Sequence, residues 1–200
     1  MKLTWLGHAC FLLEQDGYKI VIDPYTEVVG HSDIRTEAHR VLCSHQHFDH
    51  NAVGGVTLLP EKESPFEIRT VETCHDDQNG ALRGANTIHI LTADGMSVAH
   101  LGDLGHQLTQ EQLREIGHVD GVLVPIGGTY TVDAVGAKQV CEAIAPKWIV
   151  PMHYRHGNYG FPVLLTVEDF AGLWSEVHRT SSPELEMTAD TQGVFVPEFN

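Results

Sequence analysis

The chain has 200 residues, 42% of them hydrophobic and 20% charged, a length and balance that allow one globular domain with a sizeable core. Asp and Glu outnumber Lys and Arg 27 to 12, for a formal net charge of -15 at pH 7. This negative charge repels a phosphate backbone, and the sequence has no basic run, so the composition argues against a nucleic-acid partner.

The sequence lacks the usual signals of export or membrane insertion. Nowhere do 18 apolar residues run together, and the N-terminal apolar stretch is too interrupted for a secretory signal. The four cysteines are widely spaced without a CxxC pair, which is typical of reduced thiols. We therefore expect a cytoplasmic protein with no membrane contact, one domain over residues 1–200 and a small-molecule partner. Its oligomeric state is left open.

Strands dominate the first half of the chain. Alternating apolar residues predict two hairpins, one turning at Asp16-Gly17 and one at Asp94-Gly95, because Asp-Gly readily takes the positive φ angles of a two-residue turn. Further strands are predicted at HRVLCS, PFEIRTVET, GVLVPI and KWIVPM, several of them continuous apolar runs that suit a strand covered on both faces.

Helices alternate with strands in the second half. The predicted helices each open with Thr near an acidic residue, which suits capping and the helix dipole. They are TQEQLREIG, TVDAVGAKQVCEAIA and TVEDFAGLWSEVHR. This order predicts a layered α/β or α+β domain with sheets packed together and helices outside.

The stretch SHQHFDH follows the apolar residues of HRVLCS. His45 and His47 are two positions apart, so in extended backbone they leave on one face, and a turn could bring Asp49 and His50 around a second position. The alternative is a solvated, histidine-rich loop. The density of donors directly after a strand favours a metal site.

Other predicted strands also end in a donor of metal ligands. His75 follows VETC, Asp103 follows SVAHLG, and His153 follows WIVPM. Ligands at strand ends are held rigidly yet stay reachable from solvent, which a catalytic metal requires. Seven donors exceed the needs of one tetrahedral zinc, so two metals sharing a nucleophilic hydroxide are the economical interpretation. The seven are His45, His47, Asp49, His50, His75, Asp103 and His153.

These motifs resemble the metallo-β-lactamase superfamily over about residues 3 to 156. The residues that carry the resemblance are the HxHxDH motif, the separate His75, the GDLGH aspartate and the strand-end PMH. Within the superfamily, WLGHACFLLEQDGYKIVIDP and GGTYT are similar to a compact branch of metal-dependent hydrolases that includes ascorbate-phosphate lactonase-like proteins.

The resemblance implies an α+β fold, a four-layer αββα sandwich with the site at one edge. It implies two divalent metal ions, zinc first with manganese or iron as alternatives. It also implies how they are held: one by His45, His47 and His75, the other by Asp49, His50 and His153, with Asp103 between them. Asp76 and Asp77 are rival ligands to His75.

Three further residues lie near the predicted ligands. Asp23 ends the strand YKIVID and either supports a ligand histidine through a hydrogen bond or forms a turn before Pro24. His8 and His106 could each support a ligand or donate a proton to a leaving group. A structural loop histidine is the favoured interpretation for His8, and function is favoured for His106.

Substrate contacts are predicted at two places. The loop containing Thr129 and Tyr130 follows a strand and leads into a helix, so its free backbone N–H groups could receive an anion, unless it is a plain turn. Arg155, next to His153, could pair with a phosphate or carboxylate, or be solvated.

The sequence therefore predicts a metal-dependent hydrolase acting on a small anionic ester, lactone or phosphodiester, with a hydroxide held by the two metals as nucleophile. Asp49 would take up a proton and His106 would donate one. One alternative is a di-iron redox protein of the same fold, weakened because no flavin domain or CxxC pair is present. An RNA phosphodiesterase is another, weakened by the acidic surface. A metal-binding or partner-binding protein without turnover is the third.

Overall fold

The computed structural model describes residues 1–199 and arranges them in two large β-sheets, one small sheet and three helices. The strands are β1 Lys2–Gly7, β2 Cys10–Gln15, β3 Tyr18–Ile22, β4 Thr36–Ala38, β5 Arg40–Leu42, β6 Val56–Leu58, β7 Glu67–Cys74, β8 Ala85–Ala93, β9 Met96–His100, β10 Gly121–Pro125, β11 Trp148–Met152, β12 Val177–Arg179, β13 Glu184–Glu186 and β14 Gly193–Val196. The helices are α1 Gln110–Ile116, α2 Ala134–Ile144 and α3 Val167–Ala171.

The first large sheet has the strand order β13-β1-β2-β3-β5. The predicted hairpin joins β2 to β3, with Asp16 and Gly17 at φ 51° and 71°. Strands β1 and β3 are both antiparallel to β2, and β5 is parallel to β3. The carboxyl ends of β1, β3 and β5 therefore lie at one edge.

The second large sheet has the order β12-β14-β11-β10-β9-β8-β7. The second predicted hairpin joins β8 to β9, with Asp94 and Gly95 at φ 50° and 73°. Strand β8 is antiparallel to both β7 and β9, while β9, β10 and β11 are mutually parallel. The carboxyl ends of β7, β9, β10 and β11 therefore share one edge.

The two large sheets pack face to face around one hydrophobic core. Leu13 and Ile20 of the first sheet belong to the same buried cluster as Ile90 and Val98 of the second. Helix α1 contacts β7, and helix α2 contacts β10. A second apolar cluster, with Val21 of β3 among its members, lies under the segment that carries β4 and β6. The predicted α+β sandwich is confirmed, and the small β4–β6 sheet contacts the first large sheet through β4 and β3.

Helices α1 and α2 form where the sequence predicts them. The side chain of Thr109 accepts a hydrogen bond from the N–H of Gln112, and Asp133 caps α2 in the same way through the N–H of Gly136. Within residues 1–199, none of the helices has the length and apolar character needed to cross a membrane.

The prediction of a helix through TVEDFAGLWSEVHR is wrong in its second half. Helix α3 starts as predicted, after Thr166 and Asp169 form a capping box, but it ends at Ala171 with Gly172 as its C-cap. The chain then becomes β12, which pairs in parallel with β14. Pairing with a strand that comes later in the chain outweighs the local helical pattern.

Candidate metal centre

Residues that follow strands of both sheets meet at the edge where those strands end. His45 and its neighbours come after β5, His75 comes directly after β7, Asp103 shortly after β9 and His153 directly after β11. The backbone of His153 has φ 54°, a left-handed conformation that is uncommon outside glycine. Such conformations are frequent at functional sites, where surrounding structure holds them in place.

The buried carboxylate of Asp103 is the centre of this arrangement. Its Oδ2 lies 3.1 Å from Nε2 of His75 and 3.2 Å from Nε2 of His153, and its Oδ1 lies 3.3 Å from Nε2 of His50. Burial acts to raise the pKa of Asp103, but the imidazoles of His153 and His50 hold it well below its usual range. Three histidines from distant parts of the chain therefore face one ionised carboxylate.

The remaining predicted donors form two groups near Asp103, and His8 joins the second of them. In each group the nitrogen or oxygen atoms lie within 4.8 Å of one another. One group is His45, His47 and His75; the other is His8, Asp49, His50 and His153. The structure thus brings the seven predicted donors together, and ligand atoms of His45, His50 and Asp103 also lie within 4.8 Å of one another. Their binding of metal stays a prediction.

Hydrogen bonds orient three of the histidines. Nδ1 of His75 donates to the carbonyl oxygen of Tyr130 at 3.0 Å, and Nδ1 of His50 donates to Oδ2 of Asp23 at 2.8 Å. Nδ1 of His45 lies 2.9 Å from Oγ of Ser44 and donates to it, because the hydroxyl itself donates to Asp23. In each ring Nε2 remains as the atom that a metal would take.

Asp23 is the anchor of this network. It is fully buried, and it accepts hydrogen bonds from the backbone N–H of Ser44 at 2.6 Å, the hydroxyl of Ser44 at 2.7 Å and Nδ1 of His50. Burial acts to raise the pKa of Asp23, but the imidazole of His50 and the Ser44 hydrogen bonds outweigh it and lower the pKa to about 2. Asp23 thus makes the supporting contact that its position suggested.

His8 lies inside the site rather than in a surface loop. His8 directly follows β1, as Asp23 directly follows β3, and both residues have a backbone φ near 50°. The Nε2 atom of His8 lies 3.3 Å from Oδ2 of Asp49. Burial and the neighbouring His153 lower the pKa of His8 to about 3, so the ring is neutral at physiological pH. The sequence held the signal, since His8 also follows a strand, but the count of seven donors left it unused.

His106 does not occupy the place predicted for it. Its Nε2 accepts a hydrogen bond from the backbone N–H of Cys74 at 3.2 Å, and its Nδ1 donates to the carbonyl oxygen of Gln107 at 2.8 Å. Both ring nitrogens are therefore bound to backbone, and His106 is outside the group of residues lining the cavity at the centre. The role of proton donor to a leaving group is corrected to a structural one.

The structure separates His75 from its two acidic neighbours. Asp76 points into its own loop, where it accepts hydrogen bonds from the backbone N–H groups of Gln78, Gly80, Leu82 and Arg83 at 2.7–3.0 Å. Burial acts to raise the pKa of Asp76, but these four donors outweigh it and lower the pKa to about 2. Asp77 is exposed. His75 is therefore the donor that this loop contributes.

The donor set fits divalent cations. Among the described residues, several buried atoms of the cluster have no hydrogen-bond partner; they are His45 Nε2, His50 Nε2, His153 Nε2 and Asp103 Oδ1. Buried polar atoms of this kind are costly unless something satisfies them. Imidazole and carboxylate ligands suit zinc, manganese and iron. Positive ions between these groups would satisfy the atoms and balance the buried carboxylates.

A cavity of about 350 Å³ opens onto the centre. The donors His47, Asp49, His75 and Asp103 line it together with Phe48, Arg83, Tyr130 and Phe161. Tyr130 lines the cavity, and its contact with a substrate stays a prediction. The sequence analysis missed Phe48, Arg83 and Phe161, although Phe48 lies within the histidine motif and Arg83 closes the loop after His75.

Two other predicted substrate contacts are not where they were expected. The backbone of Arg155 pairs with Thr166, its N–H donates to the carbonyl oxygen of Leu165 at 2.9 Å, and Arg155 is not among the residues that line the cavity. In the 127–131 loop, the hydroxyl of Thr129 donates to the carbonyl oxygen of Val163 at 2.9 Å. The N–H of Gly128 donates to the carbonyl oxygen of Val132, and those of Tyr130 and Thr131 donate to that of Gly128, so these three groups are not free for an anion.

Comparison with known proteins identifies relatives of this chain. A family model described as the beta-lactamase superfamily domain matches residues 2–153. A UPF0173 metal-dependent hydrolase of Carboxydothermus hydrogenoformans is 30% identical over 194 residues, and the match covers 78% of this chain and 85% of the relative. A UPF0173 protein of Pyrococcus furiosus is 33% identical, and the match covers 80% of this chain and 85% of the relative. A crystal structure from Thermotoga maritima, described as a candidate Zn-dependent hydrolase of the metallo-beta-lactamase superfamily, is 37% identical with a TM-score of 0.79, covering 98% of this chain and 97% of its own.

Proposed function

The chain belongs to the beta-lactamase superfamily and is a metal-dependent hydrolase, and we propose that it cleaves a small anionic ester, lactone or phosphodiester at a centre of two divalent cations. The observation that carries this proposal is the convergence of His50, His75 and His153 on Asp103 within 3.1–3.3 Å. The two groups of donors flanking Asp103 support a pair of ions rather than one.

The proposed ligands are divided as the two groups suggest. His45, His47 and His75 would hold one cation, Asp49, His50 and His153 would hold the other, and Asp103 would serve both. Bound there, the cations would supply a hydroxide nucleophile at neutral pH and polarise the carbonyl or phosphoryl oxygen of the substrate. We propose zinc as the metal, with manganese or iron as alternatives.

Asp49 is the proposed proton acceptor. Burial acts to raise its pKa, but the hydrogen bond from His8 and the charge of His50 hold it well below its usual range, so the carboxylate is ionised at neutral pH. It lines the cavity, where it can take a proton from a nucleophile as the nucleophile attacks. His8 would keep the second carboxylate oxygen in position.

A small molecule is the proposed substrate. The cavity of about 350 Å³ has the size of small-ligand sites. The net charge of -15 opposes binding of a nucleic acid. A cytoplasmic location is proposed because all four cysteines are free thiols, which suits a reducing compartment. Closer kinship to ascorbate-phosphate lactonase-like proteins stays a prediction.

Metal analysis combined with an activity panel tests the proposal. The protein would be purified anaerobically, its metals counted by mass spectrometry, and esters, lactones and phosphodiesters assayed before and after chelation and reconstitution. We expect two metal equivalents, hydrolysis that chelation abolishes, and a loss of about a hundredfold or more in Asp103→Asn. His118→Ala is the control, because His118 is exposed, follows α1 and belongs neither to the donor groups nor to the residues that line the cavity.

Two outcomes would overturn it. Stoichiometric iron with a visible absorption band and no hydrolysis would favour redox chemistry instead. Full metal loading without hydrolysis of any member of the panel would favour a metal-binding protein without turnover.

A further inference from the structure

Three aromatic rings form an apolar wall beside the donors. Phe161 lies edge-on to both of the others, with ring centroids 6.4 Å from Phe48 and 6.4 Å from Tyr130 and interplanar angles of 83° and 84°. Phe48 and Tyr130 are 53% and 38% exposed, so apolar surface faces solvent at the cavity mouth. Exposed aromatic surface of this kind in a cavity is typical of a binding site for an apolar group.

Arg83 places a positive charge on the same cavity. Its guanidinium lies over the ring of Tyr130, 5.8 Å from the centroid, and its Nη2 donates to the carbonyl oxygen of Thr129 at 3.0 Å. Among residues 1–199 no carboxylate lies within 4.0 Å of it. In an acidic protein, an arginine that faces a cavity without a carboxylate partner retains N–H donors for an anion.

The loop that carries Arg83 is held rigid. Asp76 accepts four backbone N–H groups along the loop, the last of them the N–H of Arg83 itself at 2.7 Å. The same loop begins at His75, a proposed metal ligand. Arg83 is therefore fixed relative to the centre, and a fixed charge costs less to engage on binding than a mobile one.

From these contacts we propose that the substrate carries two recognition groups besides its scissile bond. One is an anion, a carboxylate or a phosphate, that pairs with Arg83. The other is an apolar or aromatic group that lies against Phe161, Phe48 and Tyr130. The proposal rests on the proposed function, because the scissile bond would face the donors at the floor of the same cavity.

A kinetic comparison tests the anion. Pairs of aryl esters would share the scissile bond and differ by one remote group, either neutral, a carboxylate or a phosphate. We expect the wild-type protein to prefer one of the charged esters by roughly tenfold to a hundredfold in kcat/KM, and the ratio of kcat/KM for the charged over the neutral ester to fall to about one in Arg83→Gln. The charged group whose kcat/KM advantage over the neutral ester disappears in Arg83→Gln identifies the anion. If Arg83→Gln keeps the wild-type preference for the charged ester, the inference is overturned.

Arg114→Gln is the matched control for the kinetic comparison. It removes the same charge from the exposed face of α1, where Arg114 bonds to the carbonyl oxygen of Gln110. Its preference should equal that of the wild type. Arg83→Lys keeps the charge without the planar fork and should retain part of the preference. If Arg114→Gln lost as much as Arg83→Gln, net charge rather than a site would be the cause.

The aromatic wall has its own variant. Phe161→Leu keeps an apolar side chain but removes the ring that lies edge-on to the other two. We expect its preference for aryl over methyl esters to fall by about threefold to tenfold, with the dependence on charge unchanged. An unchanged aryl preference would remove the aromatic group from the proposal.

A binding measurement separates this inference from the proposed hydrolysis. Titration calorimetry would compare 4-phenylbutyrate with its neutral amide, neither of which has an ester to cleave. Tighter binding of the carboxylate by the wild type and Arg114→Gln, lost in Arg83→Gln, supports the inference even if no ester is hydrolysed. If the wild type, Arg114→Gln and Arg83→Gln all bind 4-phenylbutyrate equally tightly, the inference is overturned, because an anion held by metal alone would not depend on Arg83.

Discussion

The imidazole of His8 and the carboxylate of Asp49 lie 3.3 Å apart in a buried part of the site. They are 41 positions apart in the sequence, and they meet because β1 ends at the edge where the histidine motif leaves β5. The ring of His8 also lies 4.1 Å from that of His153, measured between centroids. His8 therefore contacts two of the three proposed ligands of one cation.

Replacing His8 should weaken one metal site and leave the other. His8→Asn is the suitable change, because asparagine tolerates the φ of 52° at this position. We expect the affinity of the Asp49 site to fall about tenfold to a hundredfold, the usual effect of removing a residue that orients a ligand. Competition with a chelator measures both affinities. Equal affinities in wild type and variant would contradict the prediction, and His118→Asn serves as control.

Replacing Asp23 should cost both stability and metal affinity. Asp23→Asn keeps the shape of the side chain, but it removes the charge that three donors from Ser44 and His50 share. We expect a loss of about 2–3 kcal/mol in the free energy of unfolding of the metal-free protein. Urea denaturation followed by circular dichroism measures it. A change below about 0.5 kcal/mol would show that the network adds little.

A methyl group at Gly105 should disturb the centre through the backbone. A Cβ there would collide with the backbone of His75 and Asp76. Gly105→Ala should therefore move the loop carrying Asp103 away from His75 and lower metal affinity by about tenfold or more. Gly54→Ala is the matched control, because a Cβ at Gly54 meets no atom within 4 Å. The prediction fails if both variants bind metal as the wild type does.

Asp120 should give stability a dependence on pH away from the site. It accepts hydrogen bonds from the N–H of Ser97 at 2.8 Å and from Nζ of Lys147 at 2.8 Å. Burial acts to raise its pKa, but the Lys147 and Ser97 bonds outweigh it, so the folded pKa lies below the ordinary value of 3.8. A carboxyl group of this kind stabilises the fold above its unfolded pKa, and the contribution is lost as pH falls through the folded pKa.

Asp120→Asn should therefore be less stable than the wild type by about 1–2 kcal/mol between pH 5 and 7, with a gap that shrinks below about pH 4. Urea midpoints of the two proteins over this range give the difference. Asp190→Asn, at an exposed position, should follow the wild-type curve. A gap that stays constant down to pH 3 would contradict the prediction.

Some sequence signals were strong because they are local. Asp-Gly in two hairpins fixed the turns and hence the register of β2 with β3 and β8 with β9. Apolar runs marked where strands end, so the sequence alone grouped His75 and His153 with the histidine motif as donors that follow strands. The helical pattern up to Arg179 misled, because pairing of β12 with β14 depends on a distant segment.

The sequence by itself predicted a layered domain of packed sheets and seven candidate donors after its strands, because periodicity and strand ends are properties of short segments. Only the tertiary structure decided what each polar ring and charge contacts. It bound both nitrogens of His106 to backbone, brought His8 to Asp49, paired the backbone of Arg155 with Thr166 and left Arg83 over Tyr130. The reason is physical: the direction of a side chain depends on the hydrogen bonds and packing that loops from distant parts of the chain offer it.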